Sequence, residues 1–130
     1  MILIASFAIP GTMPGLNDYI AGVNRNRHVG NAIKQKWTNA VALAAHSCQR
    51  VPDELLPIWI EYMFYERNRR RDKDNIEGFA KKVIQDGLVR AGVLENDGWK
   101  HIDGSASRFC VDAKNPRVEI KIYTEAENVK

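Results

Sequence analysis

Apolar positions recur most regularly after Ile76. Phe79, Ala80, Val83, Ile84, Gly87, Leu88 and Ala91 follow at intervals of three and four residues, which is one face of an α-helix. Asp74 is the candidate N-cap, and Glu77 three residues later completes a capping box. Gly92 supplies the stop. The pattern predicts a helix from about Asn75 to Ala91. A second is predicted from about Asn31 to Gln49, where Ile33, Trp37, Val41, Ala44 and Ala45 recur at helical spacing. Ile58 to Glu66 (IWIEYMFYE) is rich in β-branched and aromatic residues and predicts a strand. The opening MILIASFAI, cut off by Pro10-Gly11, predicts a buried first strand. Further strands are expected near Lys100 to Asp112, interrupted at Gly104, and at Val118 to Thr124, with Asn115-Pro116 turning between them. Pro10 to Asn17 has loop composition, and Tyr19 to Gly30 carries only a weak pattern. Strands and helices mix without strict βαβ alternation. The fold class is therefore α+β: a small mixed sheet packed with two main helices, in a single domain over residues 1–130.

Composition narrows this picture only slightly. A chain of 130 residues, 45% hydrophobic and 27% charged, has the profile of one globular domain. The net charge of +3 is too small to identify a nucleic-acid binder by itself. Its distribution is more telling, because five basic residues fall between Arg67 and Lys73. Cys48 and Cys110 form no C-x-x-C pattern, and three histidines offer little to zinc. Both thiols are expected to be reduced and packed. The apolar opening is too short for a membrane span and lacks the basic start of a signal peptide. A cytoplasmic protein without membrane contact is expected.

The most basic stretch, RNRRRDKDN (Arg67 to Asn75), contains two aspartates. Capping and the helix dipole account for one of them. They do not account for Asp72 among arginines. If the arginines bind phosphates, each carboxylate repels the same ligand. Two unit charges 4 Å apart interact by roughly 1 kcal/mol in water and about 4 at an effective dielectric of 20. A divalent cation reverses that sign, since aspartate oxygens and substrate phosphate both ligate Mg²⁺. Such a metal can polarise phosphorus and generate hydroxide. Basic residues with clustered carboxylates thus point to metal-dependent phosphodiester cleavage. Asp97, in the turn after the helix, is the best third carboxylate, although Asp-Gly is also a common turn pair. On the helix, Asn75, Lys82 and Asp86 fall within about 40° of one another, on a polar stripe. Lys82 and Asp86 could be an ordinary i,i+4 pair, or Lys82 could stabilise charge developing at a phosphate.

RRRDKDNI, KKVIQDGLVRAG and LENDGWKHI, in this order, resemble the RusA family of Holliday junction resolvases of bacteria and their phages. The family pattern is a basic run, then D-x-D-N-[LI], K-x-x-x-D-x-L and a turn ending in Asp. Here these are Asp72 to Ile76, then Lys82, Asp86 and Leu88, then Asp97. The strong match spans Arg69 to Ile102, and PGLNDY (Pro14 to Tyr19) is weakly similar to a family loop. One departure is that the lysine stands four residues later than in the founding member. It keeps the same helix face but moves about 6 Å along the axis. The resemblance implies a Mg²⁺- or Mn²⁺-dependent endodeoxyribonuclease, without organic cofactor, acting as a homodimer on four-way DNA junctions. It implies Asp72, Asp74 and Asp97 as metal ligands and Lys82 as a catalytic residue. Asp86 would orient Lys82, with Asn75 on the same stripe. Arg67, Arg69, Arg70, Arg71 and Lys73 would bind DNA phosphates, and Arg25, Arg27, Lys34 and Lys36 could extend that surface or form a solvated face. Two alternatives stay open: a non-catalytic branched-DNA-binding protein, and a nuclease of this fold preferring flaps or forks.

Overall fold

A computed structural model describes residues 1–125 and 127. Strand β1 (Ile2–Pro10) is followed by helices α1 (Leu16–Arg25) and α2 (Arg27–Ala44). Strand β2 (Ile58–Glu66), helix α3 (Lys73–Arg90) and strands β3 (Ile102–Val111) and β4 (Arg117–Thr124) complete the order. The four strands form one mixed sheet in the order β1-β4-β2-β3. β4 pairs antiparallel with both β1 and β2, whereas β2 and β3 run parallel. A parallel pair needs a crossover, and α3 supplies it. The α+β class is observed.

β2 is central because it alternates cleanly. Ile58, Ile60, Tyr62 and Phe64 are fully buried, while Trp59, Glu61, Met63 and Tyr65 on the opposite face are only half-buried. In register with the first set, Val118, Ile120 and Ile122 of β4 bury into the same core. Helix α3 buries Ile76, Phe79, Ala80, Val83, Ile84, Gly87 and Leu88, all on the face that the periodicity predicts. It runs from Lys73 to Arg90, two residues earlier at its start than predicted. At the α2–α3 crossing, a Cβ on Gly87 would run into Val41, so only glycine permits this approach.

Several expectations are corrected. The first strand is an edge, not a buried strand: Ile2 and Leu3 are exposed, and only Ile9 is buried. Hydropathy alone cannot separate a central strand from an edge. Helix α1 was not predicted. It starts inside the Pro- and Gly-rich segment, with Gly15 as N-cap and the Gly15 N–H donating to Asp18 Oδ2 at 3.0 Å. Asp18 three residues after the cap was the available signal. Helix α2 starts at Arg27, where Asn26 accepts a hydrogen bond from the Val29 N–H, and ends at Ala44 rather than Gln49. β3 is one continuous strand. Gly104 lies at a register shift, and the Trp59 ring occupies the place its Cβ would take. Cys48 is half-buried as expected, but Cys110 is exposed on the edge strand, and both are free thiols. Among the described residues no helix is long and apolar enough to cross a membrane.

Candidate functional site

The basic run begins where β2 ends and stops where α3 begins. In open α/β sheets, ligands bind beyond the carboxyl ends of parallel strands, and this segment occupies that position. Its arginines are not equivalent. The Arg71 guanidinium donates to Glu66 through Nε at 3.0 Å and through Nη2 at 2.8 and 3.1 Å. Its Nη1 donates to the Met13 carbonyl at 3.0 Å. Arg71 is therefore a latch between β2, the segment before α1 and the start of α3, and the guanidinium expected to bind DNA phosphate is engaged within the protein. Glu66 escaped notice in the sequence because its partner lies across a loop at no helical or strand spacing. Arg67, Arg69 and Arg70 are exposed, and among the described residues their side chains have no acidic partner. Lys73 is exposed with its ammonium 5.5 Å from the Phe109 ring centroid.

Asp72, not Asp74, is the N-cap of α3, so the capping assignment is corrected as well. The Asp72 backbone is extended, but its carboxylate makes no capping hydrogen bond. Asp74 lies in the first turn. Among the described residues, neither carboxylate has a hydrogen-bond or ion-pair partner, although arginines flank them. The two line different hollows. Asp72 lines one of about 540 Å³ with Arg69, Lys73 and Phe109. Asp74 lines one of about 430 Å³ with Glu77, Lys81 and Lys82.

The polar stripe of α3 faces the other helices. Lys82 Nζ lies 3.1 Å from Asp86 Oδ1 and 3.4 Å from Asp97 Oδ2. Asp86 also faces Lys34 at 3.7 Å, which removes Lys34 from a free basic surface. The hydrogen bond to Asp86, reinforced by the charges of Asp86 and Asp97, holds the Lys82 ammonium above its ordinary pKa. Lys82 is thus a cation at any physiological pH, suited to charge stabilisation rather than to proton abstraction. Asn75 shares the stripe but not this cluster: its Oδ1 accepts the Asn17 N–H at 2.8 Å, pinning α1 to the start of α3.

Asp97 therefore pairs with Lys82, which lines the hollow of Asp74. Among the described residues no group of three or more His, Cys, Asp or Glu side chains is arranged to hold a metal ion. The free carboxylates do fit a site of another kind, because Mg²⁺ is usually held by one or two carboxylates, waters and substrate phosphate. No protein-family model matches the sequence, and no curated protein matches it.

Proposed function

We propose that the protein is a Mg²⁺-dependent endodeoxyribonuclease, RusA-like in type, that cuts branched DNA, foremost the four-way junction. One observation carries this reading: among the described residues, Asp72 and Asp74 are exposed and unpartnered in the same segment as the exposed, unpartnered Arg67, Arg69 and Arg70. Capping would have engaged Asp72, and a structural ion pair would have engaged both. Carboxylates left free beside phosphate-binding cations are favourable only if a cation comes between them and the ligand.

In this reading Arg67, Arg69 and Arg70 hold backbone phosphates, and Asp72 and Asp74 supply oxygen ligands to Mg²⁺, with Mn²⁺ as a substitute. The ion, when bound, polarises the phosphorus and lowers the pKa of water. Lys82 borders the same hollow as Asp74, where a fixed ammonium would stabilise the charge that builds on phosphate oxygens. Asp86 and Asp97 position that ammonium. Asp97 becomes a ligand only if its contact with Lys82 opens. A four-way junction is cut at two symmetry-related strands, which a two-fold homodimer matches with two equivalent sites. Action inside a bacterial cell, by a chromosomal or phage-encoded protein, belongs to the same reading.

A second reading, a protein that grips branched DNA without cutting it, rests on the exposed Arg67, Arg69 and Arg70 alone. Incubation of a labelled four-way junction with Mg²⁺ or with EDTA separates the two. Mg²⁺-dependent cleavage is expected, and it should vanish in Asp74→Asn while junction binding stays normal or tightens. Full cleavage by that variant would sink the ligand assignment, and absence of cleavage by the unmodified protein would leave the second reading. Flap, fork and duplex substrates in the same assay rank the preferred structure.

A further inference from the structure

On the side of the basic run away from Asp72 lies a cleft of about 590 Å³, within the size range of small-ligand sites. Its walls include Met13, Lys36, Trp37, Arg67 and Arg70. The two carboxylates that reach it are already engaged. Glu66 holds Arg71, and Asp18 accepts the Gly15 N–H. Lys36, Arg67 and Arg70 have no acidic partner among the described residues. With Arg71 these cations outnumber the two carboxylates, so the cleft is electropositive. Trp37 gives it an aromatic wall: the ring is half-buried against the core, and the Lys36 ammonium lies 5.5 Å from its centroid. Phosphate-binding cations around one aromatic face are what a single-stranded nucleic acid uses, because every base has a π-face to stack. Paired bases in a duplex keep their faces covered.

Resting on the nuclease reading above, we infer that this cleft holds one unpaired nucleotide next to the cut, its base against Trp37 and its phosphate on Arg67, Arg70 and Lys36. The arginine run separates this cleft from the hollow of Asp72. A strand crossing the run would leave a phosphate by Asp72 and its neighbouring base in the cleft. Only a strand whose base is unpaired, or opens at the branch point, can do so, so the cleft would select branched over continuous DNA.

The test uses the full chain in EDTA. Trp59→Phe with Trp99→Phe leaves Trp37 as the sole tryptophan. Titration with oligothymidylate should quench its fluorescence. Trp37→Leu should bind the oligonucleotide and the junction about tenfold more weakly, within the usual range for loss of one stacked base, with duplex binding unchanged within about twofold. Oligonucleotide binding without quenching, or unchanged affinity in a folded Trp37→Leu, overturns the inference and leaves the nuclease reading intact. Failure of the unmodified protein to bind either oligonucleotide or junction overturns both. If Trp37→Leu does not fold, the fluorescence titration alone decides.

Discussion

Arg71→Ala is the change that separates structure from DNA contact in the basic run. The Arg71 and Glu66 side chains are 24% and 12% exposed, between surface and interior. Breaking a buried pair costs about 3–5 kcal/mol, because one charge is stranded. An exposed pair is worth less than about 1 kcal/mol. The intermediate burial, and the loss of the bond to the Met13 carbonyl, place the cost near 2–3 kcal/mol. For a domain of this size that lowers the melting temperature by roughly 6–12 °C. Calorimetry or urea unfolding measures it, and Arg71→Met with Glu66→Gln should recover part of the loss, since no unpaired charge then remains. DNA binding, measured below the transition, supplies the second arm. Each phosphate contact contributes about 0.9 to the slope of log affinity against log salt. Arg71→Ala should leave that slope unchanged, whereas Arg70→Ala should reduce it by about 0.9. A stability loss under about 0.5 kcal/mol together with a reduced slope in Arg71→Ala would refute the latch and return Arg71 to the phosphate-binding set.

Burial pushes the Tyr62 phenol up to about 12, although its hydrogen bond from Gln85 lowers it somewhat. The folded value exceeds the unfolded one, so stability is intact below about pH 10 and falls as pH rises toward 12. Ultraviolet titration should show a phenol ionising near pH 12, and a Tyr62 that ionises at its ordinary value of about 10 would contradict its burial. Asp86→Asn should bring the Lys82 ammonium down toward its ordinary range, since the Asp86 hydrogen bond is the largest cause of its elevation. NMR titration of the lysine side chain reads this, and an unmoved value would show that Asp86 does not hold Lys82. Gly87→Ala should destabilise by about 1 kcal/mol, because overpacking against Val41 at about 1–3 kcal/mol exceeds the helix-propensity gain of about 1. A more stable variant would mean that α2 and α3 separate freely at this crossing.

The sequence by itself determined the elements whose signal is local. α3 was legible because seven apolar positions repeat at 3.6-residue spacing, and β2 because β-branched and aromatic residues cluster in it. The i,i+4 contact of Lys82 with Asp86 followed from the same helical arithmetic. The candidate carboxylates and the flanking arginines were visible as a motif. Only the tertiary structure decided which of these groups meet. It placed β1 at an edge and β2 inside the sheet, although β1 is the more apolar of the two in sequence. It put Arg71 on Glu66 and on Met13, the latter a partner 58 residues away, and so gave one of five apparent phosphate ligands a structural tie. It set Asp97 beside Lys82, and left Asp72 and Asp74 lining separate hollows. It also gathered Trp37, read in sequence as one more apolar helix position, into a cleft with arginines from another segment. Periodicity reports the surroundings of a residue along one element. Pairing between side chains distant in the chain depends on how β2, α3 and β3 cross over, and no local pattern encodes that.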